Sequence, residues 1–333
     1  MTGRPRLGSS SAVAATVLAG LLLPVACTAR NEDAGRPPAA SPAPSGVTST
    51  PGPTATSSAS PRATRSSPDA AGGRSRCTLA AAGDIAGEDF EDGAARTASL
   101  ISARHPRVVV ALGDTAYDDG SNEDFADYYE PTWGAFKNRT LAVPGNHEYN
   151  TDGAAGFADY FGKETLSNRG VDICGWRLLL VNEYEGVEAG ARFVAREARK
   201  RPRVPLVVVW HEPRFSSGEE HGSDPDTQPL WAAAVKARAP IVLNGHDHDY
   251  ERFAPLDAAG NPASRGTTEF VTGLGGHRIR DFGDIEAHSV VRFTGIPAVL
   301  FLTLRSDGYS WEERTVDGRS VDRGSARLRS LRQ

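Results

Sequence analysis

Val108-Val109-Val110-Ala111-Leu112-Gly113-Asp114-Thr115-Ala116-Tyr117 is the stretch that decides the architecture. A continuous apolar run rich in valine fits a strand buried on both faces, the environment that a parallel sheet imposes. Gly113 ends the run where the chain must turn sharply, and Asp114 follows at once. Four other segments also place a metal-binding side chain just past an apolar run: Gly83-Asp84, Gly145-Asn146-His147-Glu148, Trp210-His211 and Gly245-His246-Asp247-His248. One Asp or His after a strand means little. Five in order describe a site gathered along one sheet edge, where open α/β sheets bind ligands. The set joins hard oxygen donors (Asp84, Asp114, Tyr117, Asn146) to imidazoles (His211, His246, His248), a mixture that suits iron, manganese or zinc.

Working outward, strands are expected over Cys77 to Ala82, Thr140 to Pro144, Arg177 to Val181, Val204 to Trp210, Ile241 to Leu243, Glu269 to Thr272 and Ala298 to Leu304, the last antiparallel. Helices are expected over Ala94 to Ala103 and over Val187 to Lys200, the second stopped by Pro202. Apolar strands alternating with helical stretches define an α/β class. Residues 76–333 form one catalytic domain, long enough for a substantial core. No internal repeat is visible.

The ends read differently. Arg4 and Arg6 precede an apolar stretch from Ala12 to Ala26, which predicts an export signal over residues 1–26. The stretch is shorter than the roughly 20 residues of a membrane span. Leu23-Pro24-Val25-Ala26-Cys27 is close to a bacterial lipobox, which predicts a lipid on Cys27 and a membrane tether. Pro24 departs from the usual aliphatic residue, so ordinary cleavage after Ala26 is the alternative. Residues 27–75 are a linker of Pro, Ser, Thr and Ala, expected to be disordered because it cannot bury enough surface to offset its ordering entropy. The expected location is extracellular or on a bacterial cell surface. A net charge of −5 argues against a nucleic-acid partner, and Arg323, Arg327, Arg329 and Arg332 read as a solvated tail. In an exported protein Cys77 and Cys174 read as a disulfide, two buried thiols being the alternative. No feature specifies an oligomeric state.

The five segments resemble the calcineurin-like metallophosphoesterases. The general pattern of that superfamily opens with Asp-x-His, but Asp84-Ile85-Ala86 lacks the histidine. The purple acid phosphatase branch also lacks it and supplies a tyrosine from Gly-Asp-x-x-Tyr, matched by Gly113 to Tyr117. Gly245-His246-Asp247-His248-Asp249-Tyr250-Glu251-Arg252 is similar to that branch's Gly-His-x-His-x-Tyr-Glu-Arg. The resemblance implies a four-layer αββα sandwich of two mixed sheets flanked by helices.

It also implies two metal ions bridged by Asp114. Asp84, Tyr117 and His248 would complete the first, and Asn146, His211 and His246 the second. A phenol of pKa about 10 binds well only as phenolate, which favours Fe(III) at the first position. Fe(II), Zn or Mn is implied at the second. The implied reaction is attack of metal-bound hydroxide on a small phosphorylated substrate, a phosphate monoester. Two metals about 3.5–4 Å apart can neutralise the phosphoryl oxygens and activate water together. His147 is expected to point at the phosphate, its ring held by Glu148. His221, ten residues after His211, is the candidate general acid, with a surface histidine as the alternative. Asp247, Asp249 and Glu251 are expected in supporting or solvated positions, with Arg252 pairing one of them. Gly273-Leu274-Gly275-Gly276-His277 reads as a tight turn beside the site rather than a phosphate loop. His277 and His288 carry no role.

A phosphodiesterase or nucleotide phosphatase on the same scaffold is the alternative enzyme. A cell-surface binding protein that lost catalysis would show a broken ligand set, whereas every position here holds a competent side chain. A serine hydrolase lacks its Gly-x-Ser-x-Gly elbow.

Overall fold

Alternation along the strands sorts apolar side chains to two faces, and that sorting builds the layers. The computed structural model describes residues 76–88 and 92–328. The expected export signal, Cys27, the whole expected linker, Arg329 and Arg332 lie outside them. Chain contacts divide the protein into Met1–Ser67 and Pro68–Gln333, and every described residue belongs to the second unit.

In chain order the elements are β1 (Arg76–Ala82), α1 (Gly93–Arg104), β2 (Val108–Leu112), β3 (Thr140–Val143), α2 (Ala155–Phe161), β4 (Arg169–Ile173) and β5 (Trp176–Leu180). There follow α3 (Val187–Lys200), β6 (Leu206–Val209), α4 (Gln228–Lys236), β7 (Ile241–Asn244), β8 (Tyr250–Phe253), β9 (Thr268–Thr272) and β10 (Ser289–Phe293). Three antiparallel strands close the chain: β11 (Ala298–Arg305), β12 (Gly308–Thr315) and β13 (Ser320–Arg327).

One sheet has the order β13-β12-β11-β1-β2-β3 and the other β10-β8-β9-β7-β6-β5-β4. Each is mixed. β1, β2 and β3 run parallel while β11 is antiparallel to β1. In the second sheet β5, β6, β7 and β9 run parallel, with β4 and β8 antiparallel to their neighbours. Leu79, Ala81, Val110 and Leu112 face Leu178, Val207, Leu243 and Phe270 between the sheets. The alternate residues Ala80, Ala82, Val109 and Ala111 turn outward onto α1. Val208 and Val242 turn outward onto Phe193 and Val194 of α3 and Trp231 of α4. The result is the αββα sandwich.

The sheets are stitched together where the parallel strands end. Gly83 N donates to Thr272 O at 2.9 Å, Gly275 N to Gly83 O at 2.9 Å, and His211 Nδ1 lies 2.7 Å from Leu112 O. Near the opposite end, Cys77 of β1 is bridged to Cys174 in the β4–β5 turn, with Cα atoms 6.1 Å apart. The bridge spans 97 residues of sequence, which on the chain-entropy account stabilises the fold by about 4–5 kcal/mol. Arg323 and Arg327 belong to β13 rather than to a tail, correcting the expectation from composition. No helix among the described residues is long and apolar enough to cross a membrane.

Candidate metal centre

The strand-end loops are held in conformations that few residues adopt. Asp84, Asp114 and His246 have φ of 61°, 47° and 72°, the left-handed region that costs a non-glycine residue of order 1–3 kcal/mol. Hydrogen bonds hold them there. Ile85 N donates to Asp114 O at 2.9 Å, and His246 N to Asp84 Oδ2 at 2.9 Å. Glu148, fully buried, gathers Asp114 N at 2.9 Å, Thr115 N at 2.7 Å and Gly145 N at 2.7 Å on one carboxylate. It therefore ties two ligand loops together and does not hold His147. Gly145 has no substitute: a Cβ there would lie 2.1 Å from Asp114 Oδ1.

All seven expected metal residues converge. Tyr117 Oη donates to Asp84 Oδ1 at 3.0 Å and Asp114 Oδ2 at 3.1 Å, and lies 3.2 Å from His248 Nε2. His248 Nε2 is 3.4 Å from Asp84 Oδ1. On the other side Asn146 Oδ1 is 3.2 Å from His211 Nε2 and 3.0 Å from His246 Nδ1. His211 Nε2 is also 3.3 Å from Asp114 Oδ2, so the two groups share that oxygen. Asp114, His211 and His246 bring three ligand atoms within 4.8 Å of one another, close enough to hold a metal ion.

The donor set fits the two ions. Donor separations of 3.0–3.4 Å are edges of a coordination shell with bonds of about 2.1 Å, the length of metal–nitrogen and metal–oxygen bonds for such ions. The imidazoles are oriented for it. His211 Nδ1 is bonded to Leu112 O and His248 Nδ1 to Arg278 O, so each turns Nε2 inward. Backbone partners of this kind fix which nitrogen is presented. Burial, then His211, pushes the pKa of His246 well below its ordinary value. Burial and then Arg280 hold His248 down to about 2, leaving it neutral as a ligand must be. Burial, and then the carboxylates of Asp114 and Asp84, push the Tyr117 phenol well above 10. Burial raises Asp84 strongly as well. A pocket that crowds acids and a phenol in this way favours a cation.

Around this centre stand three further imidazoles. The His147 ring lies 4.4 Å from the Tyr117 ring, its Nδ1 is 2.6 Å from Asp118 O, and its Nε2 is 3.9 Å from Asp114 Oδ2. His221 packs on His246 with ring centres 4.1 Å apart, and its Nε2 is 2.5 Å from Arg280 Nη1. Burial lowers the pKa of His221, and the nearby Arg280 charge adds to the effect. His277 stacks face to face on Tyr117, 3.5 Å away at an interplanar angle of 5°. Its backbone N donates to Asp84 O at 2.9 Å, so the glycine segment before it is a tight turn around Asp84. His288 is exposed, its carbonyl accepting Ala254 N at 3.0 Å.

Sequence reasoning missed several supporting residues. Glu183 Oε1 accepts His211 N at 2.8 Å and Glu212 N at 2.9 Å. It follows β5 as closely as the ligands follow their strands, and that spacing could have found it. Glu251 accepts Ser217 N at 2.7 Å and Ser217 Oγ at 2.6 Å, Glu269 accepts Arg214 N at 3.0 Å, and Asp247 accepts Gly222 N at 3.4 Å. These buried carboxylates pin the loop that carries His221. Arg252 pairs with Asp322 at 2.6 Å, not with the acids of its own motif. Asp249 is buried, and its carboxylate has no hydrogen-bond partner among the described residues.

Fold and donor set together are those of a metallophosphoesterase, with side chains that would hold metal ions. The chain belongs to the calcineurin-like phosphoesterase family, whose profile matches residues 78–250. It is similar to purple acid phosphatase 21 of Arabidopsis thaliana, 28% identical over 208 residues, which are 54% of this chain and 45% of that protein. The match thus spans less than half of that relative. Among solved structures it resembles a purple acid phosphatase from yellow lupin (Lupinus luteus) seeds, with TM-score 0.60 and 20% identity over 78% of this chain and 55% of that one. The Plasmodium protein GAP50, described as the anchor in the inner membrane complex, aligns with TM-score 0.58 and 14% identity over 76% of this chain and 89% of its own. A dimetal phosphatase from Danio rerio aligns with TM-score 0.55 and 13% identity, over 76% and 99%. At these identities the structural likenesses speak for the fold.

Proposed function

We propose that this protein is an exported dimetal phosphoesterase that hydrolyses phosphate monoesters. One observation carries the reading: Asp114 Oδ2 stands 3.1 Å from Tyr117 Oη and 3.3 Å from His211 Nε2, a single oxygen common to two complete donor groups. Asp84, Asp114, Tyr117 and His248 would hold Fe(III), because a phenol gives up its proton most readily to a hard trivalent ion. Asp114, Asn146, His211 and His246 would hold Fe(II), Zn or Mn. Bound there, the ions supply charge neutralisation and an acidified water. His147, 29% exposed on the Tyr117 side, would meet the transferred phosphoryl group. His221, packed against His246, would meet the leaving group. Its Nε2 accepts from Arg280, so Nδ1 bears the ring proton.

Metal analysis of the purified protein with a visible spectrum tests the proposal. Two ions per chain, one of them iron, and a charge-transfer band lost in Tyr117→Phe are expected, with activity reaching into mildly acid pH. Colourless protein, fully active with divalent ions alone and indifferent to Tyr117→Phe, rejects the ferric assignment. Export and a lipid on Cys27 belong to the same proposal, supported by the basic, apolar and lipobox-like start of the chain. Labelling with a radioactive fatty acid that is lost in Cys27→Ser tests the anchor; an unlabelled, freely secreted wild type rejects it.

A further inference from the structure

Arg280 touches neither metal nor substrate in the reading above, yet it stands beside the metal centre. Its Nη1 is 2.5 Å from His221 Nε2, its Nε is 2.8 Å from Glu220 Oε2, and its backbone N donates to His248 O at 3.2 Å. We propose that Arg280 is a specificity-determining residue that grips a second anionic group on the leaving-group side of the substrate, such as the inner phosphate of a phosphoanhydride. The inference rests on the dimetal phosphoesterase reading and names the substrate feature that the same site prefers.

Position is the first argument. His147 packs on the Tyr117 ring and His221 on the His246 ring, so the two histidines flank the donor cluster from different sides. The metals and His147 suffice for the transferred phosphoryl group. Arg280 is bonded to the nitrogen of His221 that faces away from the role of proton donor, one step further along the leaving group. A guanidinium keeps its charge at every working pH and recognises phosphate with a flat fork of donors. Its use there is charge recognition, not proton transfer.

The chemistry of His221 points the same way. With Nε2 accepting from a guanidinium, that nitrogen has no proton to give. A monoester with a basic alkoxide leaving group needs one, whereas a phosphate, whose second pKa is near 6, departs largely without help. Arg280 therefore serves the leaving group through its charge, while Nδ1 of His221 keeps the proton that a basic leaving group needs.

Arg280 is also prepared for exchange of partners. Its side chain is 18% exposed, but that of Glu220 is 56% exposed. An ion pair so open to water is worth about 0–1 kcal/mol and yields readily to a phosphate. The backbone around Arg280 is fixed meanwhile. Thr294 Oγ1 donates to its carbonyl at 2.6 Å, Glu219 N to Asp281 O at 3.1 Å, and Gly283 N to Ser217 O at 2.8 Å. Little ordering remains to be done on binding.

The test compares kcat/KM for ADP and for p-nitrophenyl phosphate in wild type, Arg280→Gln and Arg280→Lys, each at matched metal content. Loss of a charge-assisted hydrogen bond predicts that Arg280→Gln falls roughly 10–100-fold further on ADP than on p-nitrophenyl phosphate, chiefly through KM. Arg280→Lys should recover part of the difference, and pyrophosphate should lose its advantage over orthophosphate as an inhibitor of Arg280→Gln. Parallel losses on both substrates, or an unchanged ratio in an enzyme active on p-nitrophenyl phosphate, overturn the inference and leave the dimetal reading standing. A metal-loaded wild type that cleaves neither substrate brings down both.

Discussion

The Tyr117 half of the metal centre and the Asn146 half share one carboxylate and differ in almost everything else. The first is buried, with Asp84, Tyr117 and His248 exposed by 0%, 1% and 2%, and offers three groups that can be anionic when Asp114 is included. The second adds only a carboxamide and two imidazoles to Asp114, so its sole acidic group is the shared one. Charge of the shell favours charge of the ion, and on the proposed reading an asymmetric pair of halves would take two different ions. Both halves straddle the seam between the sheets. Asp84, Asp114 and Asn146 follow β1, β2 and β3, whereas His211 and His246 follow β6 and β7.

The comparison can be broken most severely at the residue the halves share. Asp114→Ala should empty both and abolish turnover, read by metal analysis of the variant. One ion still bound would show that the carboxylate is not common property. Tyr117→Phe should empty or exchange only the first half, bleaching any visible band while the Asn146 half keeps its ion. Loss of both ions would mean that the halves fill cooperatively. His221→Gln should leave both ions in place and slow substrates with basic leaving groups by roughly 10²–10⁴-fold, the usual worth of a general acid. Acidic leaving groups should suffer least, and a uniform loss in leaving-group assays would remove His221 from that role.

The smallest effect concerns the loop on the imidazole side. Burial carries Glu269 up from 4.5 to about 8, against the pull of the backbone N–H groups of Arg214 and Phe215. The folded form therefore holds its proton more tightly than the unfolded form does. Its contribution to stability is complete below 4.5 and is lost as pH rises toward 8, by up to about 1.4 kcal/mol per pH unit. Glu269→Gln should flatten that decline, as measured by urea denaturation at about pH 5 and about pH 8. Parallel declines would place the Glu269 pKa near its ordinary value.

The donors were legible because each follows a strand buried on both faces, and such strands leave continuous apolar runs in the sequence. Val108 to Leu112 announces Asp114 for that reason. β8, β12 and β13 were not legible. Their polar residues pair with one another across the seam, as Arg252 does with Asp322, and a buried pair looks like surface when each member is read alone. Glu148 was misread toward its sequence neighbour His147, because its true partners include Asp114 N, 34 residues away. Arg280 sits in an irregular segment 59 residues from His221, and only the folded chain brings them together.

The Cys77–Cys174 bridge divides the ligand set by covalent topology. Asp84, Asp114, Tyr117, Asn146 and His147 lie inside the ring that it closes, and His211, His246 and His248 lie outside. A protease that nicks the chain once within the ring leaves a single molecule, both pieces still joined through sulfur. One that nicks it between Cys174 and His211 leaves two fragments, each holding part of the ligand set, with only packing to keep them together. The position of a cut, more than its number, then decides whether a damaged copy of this protein can remain intact through dilution.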